Sequence, residues 1–430
     1  MRVERIVEFG KKLGADDVIA TSIEEKTKQV RFANGEIVAV KDYDLREIEV
    51  FMALKKRLIF GNVKSLDDLR KLAKIAKYLE PKKDYHGIAK DKFLYKPIEK
   101  TYDPKLLDLD VNEIVKQAID HSKFKKSAGV LYLREYRIIK STSGGAFGSD
   151  RGTSVEFSFR SFVNKYASGH SVSVSRTLSD FDFLKAVEEA DEYAKRARNP
   201  KKGHEGKYDV IFAPLAFGDI LSQVGDAVSA YNVDAGFSCF TGKITKKVAS
   251  DLVNIYDDGR MPNGLNTVLF DEEGVPTRKT DLIVDGTLKS FLHSTSTAKK
   301  YKTETTGNAG IISPRPWNIV LKPGDYTLDE MIKEVKNGIL ITNVWYTRFT
   351  NYFTGDFSTI PRDAMIEIKD GKLGRAVAEL RVSDNILRIL ENVKAISSIP
   401  KQVKWWEMEN PVTTGFVLVK KVHLSSPGNV

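Results

Sequence analysis

The strongest constraint on the fold is a set of two-residue turn signals that separate β-prone segments. Asn34-Gly35, Asp285-Gly286 and Asp370-Gly371 each lie between runs of β-branched and apolar residues. Such pairs adopt the positive φ angles of a two-residue hairpin turn. The segments 280–284 and 287–292 are the predicted arms around Asp285-Gly286. The sequence therefore predicts hairpins in both halves of the chain, with a strand-rich region from Lys207 onward.

Helical periodicity is concentrated in the first half of the chain. Apolar residues recur at helical spacing in the segments 3–13, 65–78, 112–122 and 180–198, and Ser65 is a suitable N-cap. Strand-like segments lie between these helices. We therefore expect an α+β fold, with N-terminal α/β segments whose helices pack on curled mixed sheets, followed by a large strand-rich C-terminal domain.

The length of the chain predicts more than one domain. A chain of 430 residues exceeds the size at which a single core keeps growing. A loose connection with lysine and proline spans 81–104, and a second linker spans 199–203. We therefore predict an N-terminal α/β domain over 1–100, a middle α/β domain over 101–205 and a C-terminal β-rich, peptidase-like domain over 206–430.

Composition limits the partners and the compartment. The 68 basic and 58 acidic residues leave a net charge of +10, but the lysines are dispersed, so nucleic acid is not expected as a partner. No apolar run approaches the roughly 18 residues of a membrane span. Acidic residues also interrupt the first ten positions, so we expect a cytoplasmic protein without a membrane partner. Cys239 is the single cysteine and is interpreted as a buried thiol.

An ordered set of segments in the second half carries a family resemblance. Phe-Asp-Glu-Glu-Gly-Val-Pro-Thr begins at Phe270, the hairpin around Asp285-Gly286 follows, and Thr-Thr-Gly-Asn-Ala spans 305–309. Asn-Tyr-Phe-Thr-Gly-Asp-Phe-Ser then spans 351–358, ahead of further matching segments at 364–373 and 380–387. This order resembles the C-terminal domain of the TldD/PmbA family, which contains metal-dependent peptidases. The segments 30–38 and 145–194 match the family more loosely.

The resemblance locates a metal site whose ligands are replaced in this chain. Peptidase members of the family carry His-Glu-x-x-x-His on a helix soon after the first strand of the last domain, and a cysteine near the C-terminus. The corresponding helix here places Ser222 and Ala227 at the two histidine positions and Gln223 at the glutamate position, and the region 401–430 has no cysteine. Zinc requires imidazole, thiolate or carboxylate ligands, and general-base catalysis requires an ionisable group. We therefore predict no metal ligand and no catalytic residue, with Ser222, Gln223 and Ala227 as vestigial positions.

The resemblance implies a PmbA-like subunit of a cytosolic metallopeptidase that acts on unfolded or extended peptides. Such a subunit is inactive alone and requires no cofactor, because zinc is expected only in a TldD-like partner. The partner is either that metal-bearing subunit or a second copy of this chain. An extended peptide can bind by adding a strand to a sheet edge. We predict that the peptide contacts two loops, through Thr306, Gly307, Asn308 and Ala309 in one and Thr354 and Gly355 in the other.

Two alternatives of other classes follow from the sequence. One is a nucleic-acid-associated regulator, suggested by the positive charge and by the family's older label as a modulator of DNA gyrase. The other is a self-contained hydrolase built around Asp257-Asp258 and Asp271-Glu272-Glu273. Acid-rich turns of this kind are expected to be solvated loops.

Overall fold

The computed structural model describes residues 1–426, and it confirms the predicted α+β class. The helices are α1 (Val3–Lys12), α2 (Leu66–Ala76), α3 (Pro104–Leu107), α4 (Val111–His121), α5 (Phe183–Arg196), α6 (Pro214–Ala227), α7 (Ala230–Asp234), α8 (Thr295–Tyr301), α9 (Leu328–Glu334) and α10 (Ile386–Glu391). The strands of the first half are β1 (Asp17–Ala33), β2 (Glu36–Leu54), β3 (Arg57–Asn62), β4 (Lys126–Thr142), β5 (Phe147–Asn164), β6 (Ala167–Ser175), β7 (Lys201–Lys202) and β8 (Gly206–Phe212). Those of the second half are β9 (Ile255–Asp258), β10 (Lys279–Val284), β11 (Thr287–Leu288), β12 (Ile319–Leu321), β13 (Asn337–Asn351), β14 (Asp356–Lys369), β15 (Lys372–Ala378), β16 (Arg381–Asn385), β17 (Val393–Ile396), β18 (Lys401–Val403), β19 (Val412–Thr414) and β20 (Val417–Ser425).

The first six strands form one continuous sheet in the order β3-β2-β1-β4-β5-β6. All of its pairings are antiparallel, whereas the sequence analysis predicted mixed pairing. Parallel pairs occur instead in the C-terminal sheets, for example between β8 and β13. The division proposed at residue 100 falls between β3 and β4, so both N-terminal segments contribute strands to the same sheet.

Helices cover the two ends of this sheet. At one end α1 and α2 bury Ile6 and Leu69 against Val18 and Met52 of the sheet. At the other end α4 and α5 pack on a cluster centred on Phe157 and its neighbours. Ser65 is the N-cap of α2 as predicted, and its side chain accepts a hydrogen bond from the backbone N–H of Asp68. The Asp68 side chain completes a capping box.

Two glycines lie inside a strand of this sheet. The segment 148–152 has the glycine-rich composition of a loop, but it is part of β5 and pairs with β4. The turn is confined to the four residues between β4 and β5. A β-carbon at Gly152 would overlap the guanidinium of Arg176 and the ring of Tyr136. The glycine therefore permits a close approach between groups and does not mark a turn.

The C-terminal region contains two sheets with helix α6 packed against both. The first has the order β11-β10-β9-β12-β19-β18. The second has the order β13-β8-β20-β16-β14-β15-β7, and it curls so far that β13 also pairs with β14. Helix α6 contacts strands of each sheet, including β13 and β19, so it lies in the largest core of the protein.

The predicted hairpins are confirmed. Positive φ angles of 54° and 77° occur at Asn34 and Gly35, which join β1 to β2. The same conformation occurs at Asp285-Gly286, between β10 and β11, and at Asp370-Gly371, between β14 and β15. Cys239 is buried as predicted, with 2% of its surface exposed.

Candidate functional site

Helix α6 carries Ser222, Gln223 and Ala227, the positions predicted to be vestigial, and is almost completely enclosed. It follows β8 directly, with Pro214 in its first turn, where the missing N–H of proline costs no hydrogen bond. Every residue from Pro214 to Ser222 is buried, so the helix is apolar on nearly all sides.

The vestigial positions have ordinary structural contacts. The Ser222 hydroxyl is buried and accepts a hydrogen bond from the Asn410 backbone N–H at 3.3 Å. Ala227 offers only its carbonyl, which accepts from the Ser238 hydroxyl at 2.6 Å. Gln223 lines an open cavity. A hydroxyl, an amide and a methyl group do not fit a zinc site. Within residues 1–426 no group of three or more His, Cys, Asp or Glu side chains is placed to hold a metal ion.

Two cavities meet at the C-terminal end of α6. The first has a volume of about 320 Å³, and its wall includes Gln223, Cys239 and the rings of Phe349 and Tyr352. Those two rings stack with their centroids 4.8 Å apart. The second has a volume of about 610 Å³ and is lined by the segment 310–315 together with Glu409 and Asn410. Asp226 and Asn232 line both cavities, so we treat them as one cleft, the α6 cleft.

Asp226 is the main titratable group of the α6 cleft. Its Oδ1 accepts a hydrogen bond from the Asn410 side-chain amide at 2.8 Å. Burial raises the pKa of Asp226 to about 7, and the nearby Glu409 carboxylate acts in the same direction. The carboxyl group is therefore partly protonated near neutral pH and can either accept or donate a hydrogen bond.

The sequence analysis missed Asp226 because it falls on an unspecified position of the replaced motif. Its spacing was a usable signal, since Asp226 follows Gln223 by three residues and Ser222 by four. Those separations place side chains on one face of a helix.

The predicted loop 306–309 is buried. Thr306, Gly307, Asn308 and Ala309 have at most 8% of their surface exposed. The Asn308 side-chain amide donates to the Asp257 carboxylate at 2.6 Å and to the Arg315 carbonyl at 2.9 Å. Only the next residue, Gly310, reaches the wall of the α6 cleft.

The second predicted loop borders the other end of the cleft. Thr354 is exposed and Gly355 is buried, and the Gly355 carbonyl accepts from the backbone N–H of Ile386 at 2.9 Å. Ile386 lines the α6 cleft, as does Cys239, which lies beside Gly355. The two predicted loops therefore adjoin opposite ends of one cleft, with Ser222, Gln223 and Ala227 on the helix between them.

The acidic turns are not solvated, contrary to expectation. Asp257 and Asp271 are fully buried, and Glu273 is 6% exposed. Asp257 accepts from the backbone N–H groups of Trp317 and Asn318 at 2.7 and 2.9 Å, and Asp271 accepts from that of Ala309. Burial raises the pKa of Asp257 and of Asp271 to about 7. By accepting these hydrogen bonds, the two carboxyl groups hold the backbone of the surrounding loops in place.

The buried histidines also have structural partners. The Nδ1 atom of His293 lies 3.3 Å from the hydroxyl of Thr297. His170 contacts Ser158 and Asn343 through its two ring nitrogens, at 2.8 and 3.0 Å. Burial lowers the pKa of His293 to about 4 and that of His170 to about 3, so both rings are neutral at physiological pH.

Comparison with known proteins decides the family. The model of the PmbA/TldA metallopeptidase C-terminal domain matches residues 205–426. The chain belongs to the PmbA/TldD family. This confirms the resemblance seen in the sequence, and the matched region contains the α6 cleft and both predicted loops.

Relatives with curated names agree with that family. A metalloprotease of Methanocaldococcus jannaschii is 32% identical over 226 residues, which cover 50% of this chain and 49% of that protein. The match thus spans about half of the archaeal relative. The metalloprotease PmbA homolog of Haemophilus influenzae is 26% identical, with 97% of this chain and 94% of that protein covered.

Solved structures of PmbA/TldD type share the whole fold. TldE from Thermococcus kodakarensis superposes with a TM-score of 0.87 at 21% identity, covering 98% of this chain and 99% of that one. A Thermotoga maritima protein described as a candidate modulator of a DNA gyrase gives 0.85 at 24% identity, with the same coverage. At these identities the likeness concerns the fold alone. None of the helices within residues 1–426 has the length and apolar character needed to cross a bilayer.

Proposed function

We propose that this chain is a PmbA-like, non-catalytic subunit of a cytoplasmic TldD/PmbA-type metallopeptidase that acts on unfolded or extended peptides. One observation carries the proposal. Helix α6 presents Ser222, Gln223 and Ala227 where catalytic relatives are expected to carry His-Glu-x-x-x-His, yet a cleft remains open at the end of that helix. A subunit that has lost its metal ligands and kept its cleft is suited to holding a peptide without hydrolysing it.

The α6 cleft has the chemistry of a site for extended peptide. Phe349 and Tyr352 offer stacked rings to apolar side chains at one end. Asp226 and Asn232 offer hydrogen-bonding groups in the middle, where a peptide backbone needs partners. In this proposal the loop 306–309 acts by fixing the backbone of the adjoining segment 310–315, since the Asn308 side chain is occupied by Asp257 and Arg315.

Hydrolysis then requires a metal-bearing partner. A TldD-like subunit from the same source would supply zinc and the general base, which the residues of α6 do not provide. A second copy of this chain would supply neither. The heteromeric assembly is therefore the one expected to hydrolyse peptides, whereas a homodimer would bind them without hydrolysis.

The test measures zinc content and hydrolysis of an unfolded peptide by this chain, by a TldD-like subunit and by their mixture. We expect less than stoichiometric zinc in this chain, no hydrolysis by it alone, and faster turnover in the mixture. Tyr352→Ser should weaken substrate binding by the mixture, whereas Tyr78→Ser, at a position 90% exposed and outside the cleft, should not. Stoichiometric zinc and amide hydrolysis by this chain alone would overturn the proposal.

The gyrase-modulator description of the Thermotoga maritima protein suggests a second test. Binding to DNA through phosphates weakens steeply with salt. The positive charge of this chain is dispersed, and Lys420 and Lys300 are paired with carboxylates. We therefore expect no salt-sensitive duplex binding at physiological ionic strength, and tight binding of that kind would favour the regulator instead.

A further inference from the structure

A third cavity lies between the N-terminal sheet and the C-terminal region. Its volume is about 790 Å³. Phe51, Phe60 and Ile88 form the wall on the side of the sheet, and Tyr231, Ile311 and Ile312 form the opposite wall. Phe60, Tyr231 and Ile312 are 42%, 45% and 81% exposed, so much apolar surface meets water there. Covering such surface is favourable for an apolar ligand. We call this space the sheet cavity.

The sheet cavity adjoins the α6 cleft. Glu272 and the segment 310–312 line both spaces. Tyr231 of the sheet cavity and Asn232 of the α6 cleft are consecutive residues of α7. A chain lying extended in the cleft, at about 3.3 Å per residue, can therefore place its end in the sheet cavity.

Two carboxyls on the wall of the sheet cavity, those of Glu49 and Glu273, form no ion pair with a Lys or Arg side chain within residues 1–426. Glu273 accepts hydrogen bonds from backbone N–H groups, among them that of Thr295 at 3.3 Å. The neighbouring carboxyl of Glu272 is paired with Lys140 and Arg315. Lys300 is already held by Asp84 and Asp234, at 2.8 and 3.0 Å. Lys82 and Lys83 are also on the wall, but they are exposed to solvent at its rim.

The electrostatics of these carboxyls favour a cationic ligand. Burial raises the pKa of Glu49, and the carboxylates of Glu272 and Glu47 add to the effect, whereas the more weakly acting charges of Lys140 and Arg315 oppose it. Burial and the charge of Asp271 raise the pKa of Glu273 to about 8. A bound ammonium group would favour the ionised form of both residues.

We propose that the sheet cavity binds the amino-terminal residue of an extended peptide, with a bulky apolar side chain against Phe51 and Phe60 and the α-ammonium group near Glu49. The inference rests on the proposed function and names its substrate class. It also gives the N-terminal sheet a direct part in selecting substrate.

The experiment compares four extended peptides that share one sequence and a C-terminal fluorophore. The first residue is Phe or Ser, and the amino terminus is free or acetylated. Fluorescence anisotropy is measured with the full chain alone and with the chain mixed with a metal-depleted TldD-like subunit. We expect Ser in place of Phe to weaken binding about tenfold, from the lost apolar burial. Acetylation should weaken it about threefold to fivefold, less so at high salt.

Variants of two residues on the cavity wall test which side chain causes each peptide preference. Phe60→Ser should remove the preference for Phe, and Glu49→Gln should remove the preference for a free amino terminus. Tyr78→Ser and Glu24→Gln, both at exposed positions outside the cavity, should leave both preferences intact. Circular dichroism of each variant checks that it is folded.

The outcomes separate this inference from the proposed function. If the wild-type protein binds all four peptides equally, or lacks the preference either for Phe or for a free amino terminus, this inference is overturned and the proposed function still stands. Failure of every peptide to bind either preparation overturns both. Preferences that survive Phe60→Ser and Glu49→Gln would place the amino terminus elsewhere and also overturn it.

Discussion

The side-chain amide of Asn308 donates a 2.6 Å hydrogen bond to the carboxylate of Asp257, and neither residue is exposed to solvent. The Asp257 carboxylate also accepts hydrogen bonds from the backbone N–H groups of Trp317 and Asn318. This carboxylate thereby connects the loop 306–309 to strand β12 and fixes the position of the segment between them.

Asn308→Ala should destabilise the fold. Removing the amide leaves Asp257 Oδ2 and the Arg315 carbonyl without their partner, which costs about 1–3 kcal/mol for buried groups. Urea denaturation measures the loss in the free energy of unfolding. Thr303→Ala, at an exposed position nearby, is the matched control and should change stability little. Equal stability of both variants would show that the Asn308 contact is dispensable.

Asp226→Asn should change how stability depends on pH. Because the folded pKa of Asp226 is raised to about 7, the folded state holds this proton more tightly than the unfolded state does. The stabilisation is therefore full below the ordinary pKa of aspartate and is lost as the pH rises through about 7. Asparagine keeps an acceptor for Asn410 and does not ionise.

The wild type should lose about 2–3 kcal/mol relative to Asp226→Asn between pH 5 and pH 8. Chemical denaturation at several pH values gives this difference. Asp91→Asn, at an exposed position, should track the wild type throughout. Parallel stability curves for wild type and Asp226→Asn would contradict the raised pKa.

Arg176→Lys should be strongly destabilising although it conserves charge. The Arg176 side chain is fully buried, and its Nη2 donates to the Thr101 carbonyl at 2.7 Å and to the Tyr136 hydroxyl at 2.8 Å. Its Nη1 donates to the carbonyls of Thr267 and Leu265 at 2.9 and 3.2 Å. A lysine ammonium cannot reproduce this planar set of donors. Each buried acceptor left without its donor costs about 1–3 kcal/mol, so we expect a loss of about 3–5 kcal/mol in a thermal or urea melt. The exposed Arg46→Lys should be nearly neutral.

Gly355→Ala should disturb one wall of the α6 cleft. Gly355 has φ of 86°, and a β-carbon there would lie 3.0 Å from the Cβ of Cys239. Backbone strain and crowding together should cost about 1–3 kcal/mol. Gly14→Ala is an informative control, since Gly14 has φ of 88° and nothing within 4 Å of the added atom. A larger loss for Gly355→Ala than for Gly14→Ala, measured by thermal denaturation, isolates the contact with Cys239.

The hairpins and capped helices could be predicted because their signals are local. Asn34-Gly35 and Asp285-Gly286 dictate a turn through their own backbone preferences, and Ser65 caps its helix through residues three positions away. The continuity of the N-terminal sheet could not be predicted in this way. The pairing of β1 with β4 joins residues that are between 95 (Ala33 and Ala128) and 123 (Ile19 and Thr142) positions apart, and neither strand carries a signal for its partner.

The candidate site was predicted only in part for the same reason. Ser222, Gln223 and Ala227 were located by their place in an ordered pattern. The solvent exposure of Asp257 and of Asp271 was predicted wrongly, because acid-rich turns are usually solvated and the buried N–H groups that satisfy these carboxylates come from distant segments. Helical spacing alone could have pointed to Asp226, but its burial beside Glu409 and its hydrogen bond from Asn410 depend on a segment more than 180 residues away in the chain.

The single N-terminal sheet has a consequence for how this protein can be divided. Strand β1 is paired with β4 from Ile19–Thr142 to Ala33–Ala128. Deleting residues 1–100 would remove β1 and leave the backbone N–H and C=O groups along one edge of β4 unpaired. An unpaired strand edge of this kind can pair with strands of other chains and cause aggregation. Residues 1–196 should therefore be kept together in any shortened form of the protein. A form that begins after residue 100 should precipitate before it can be assayed.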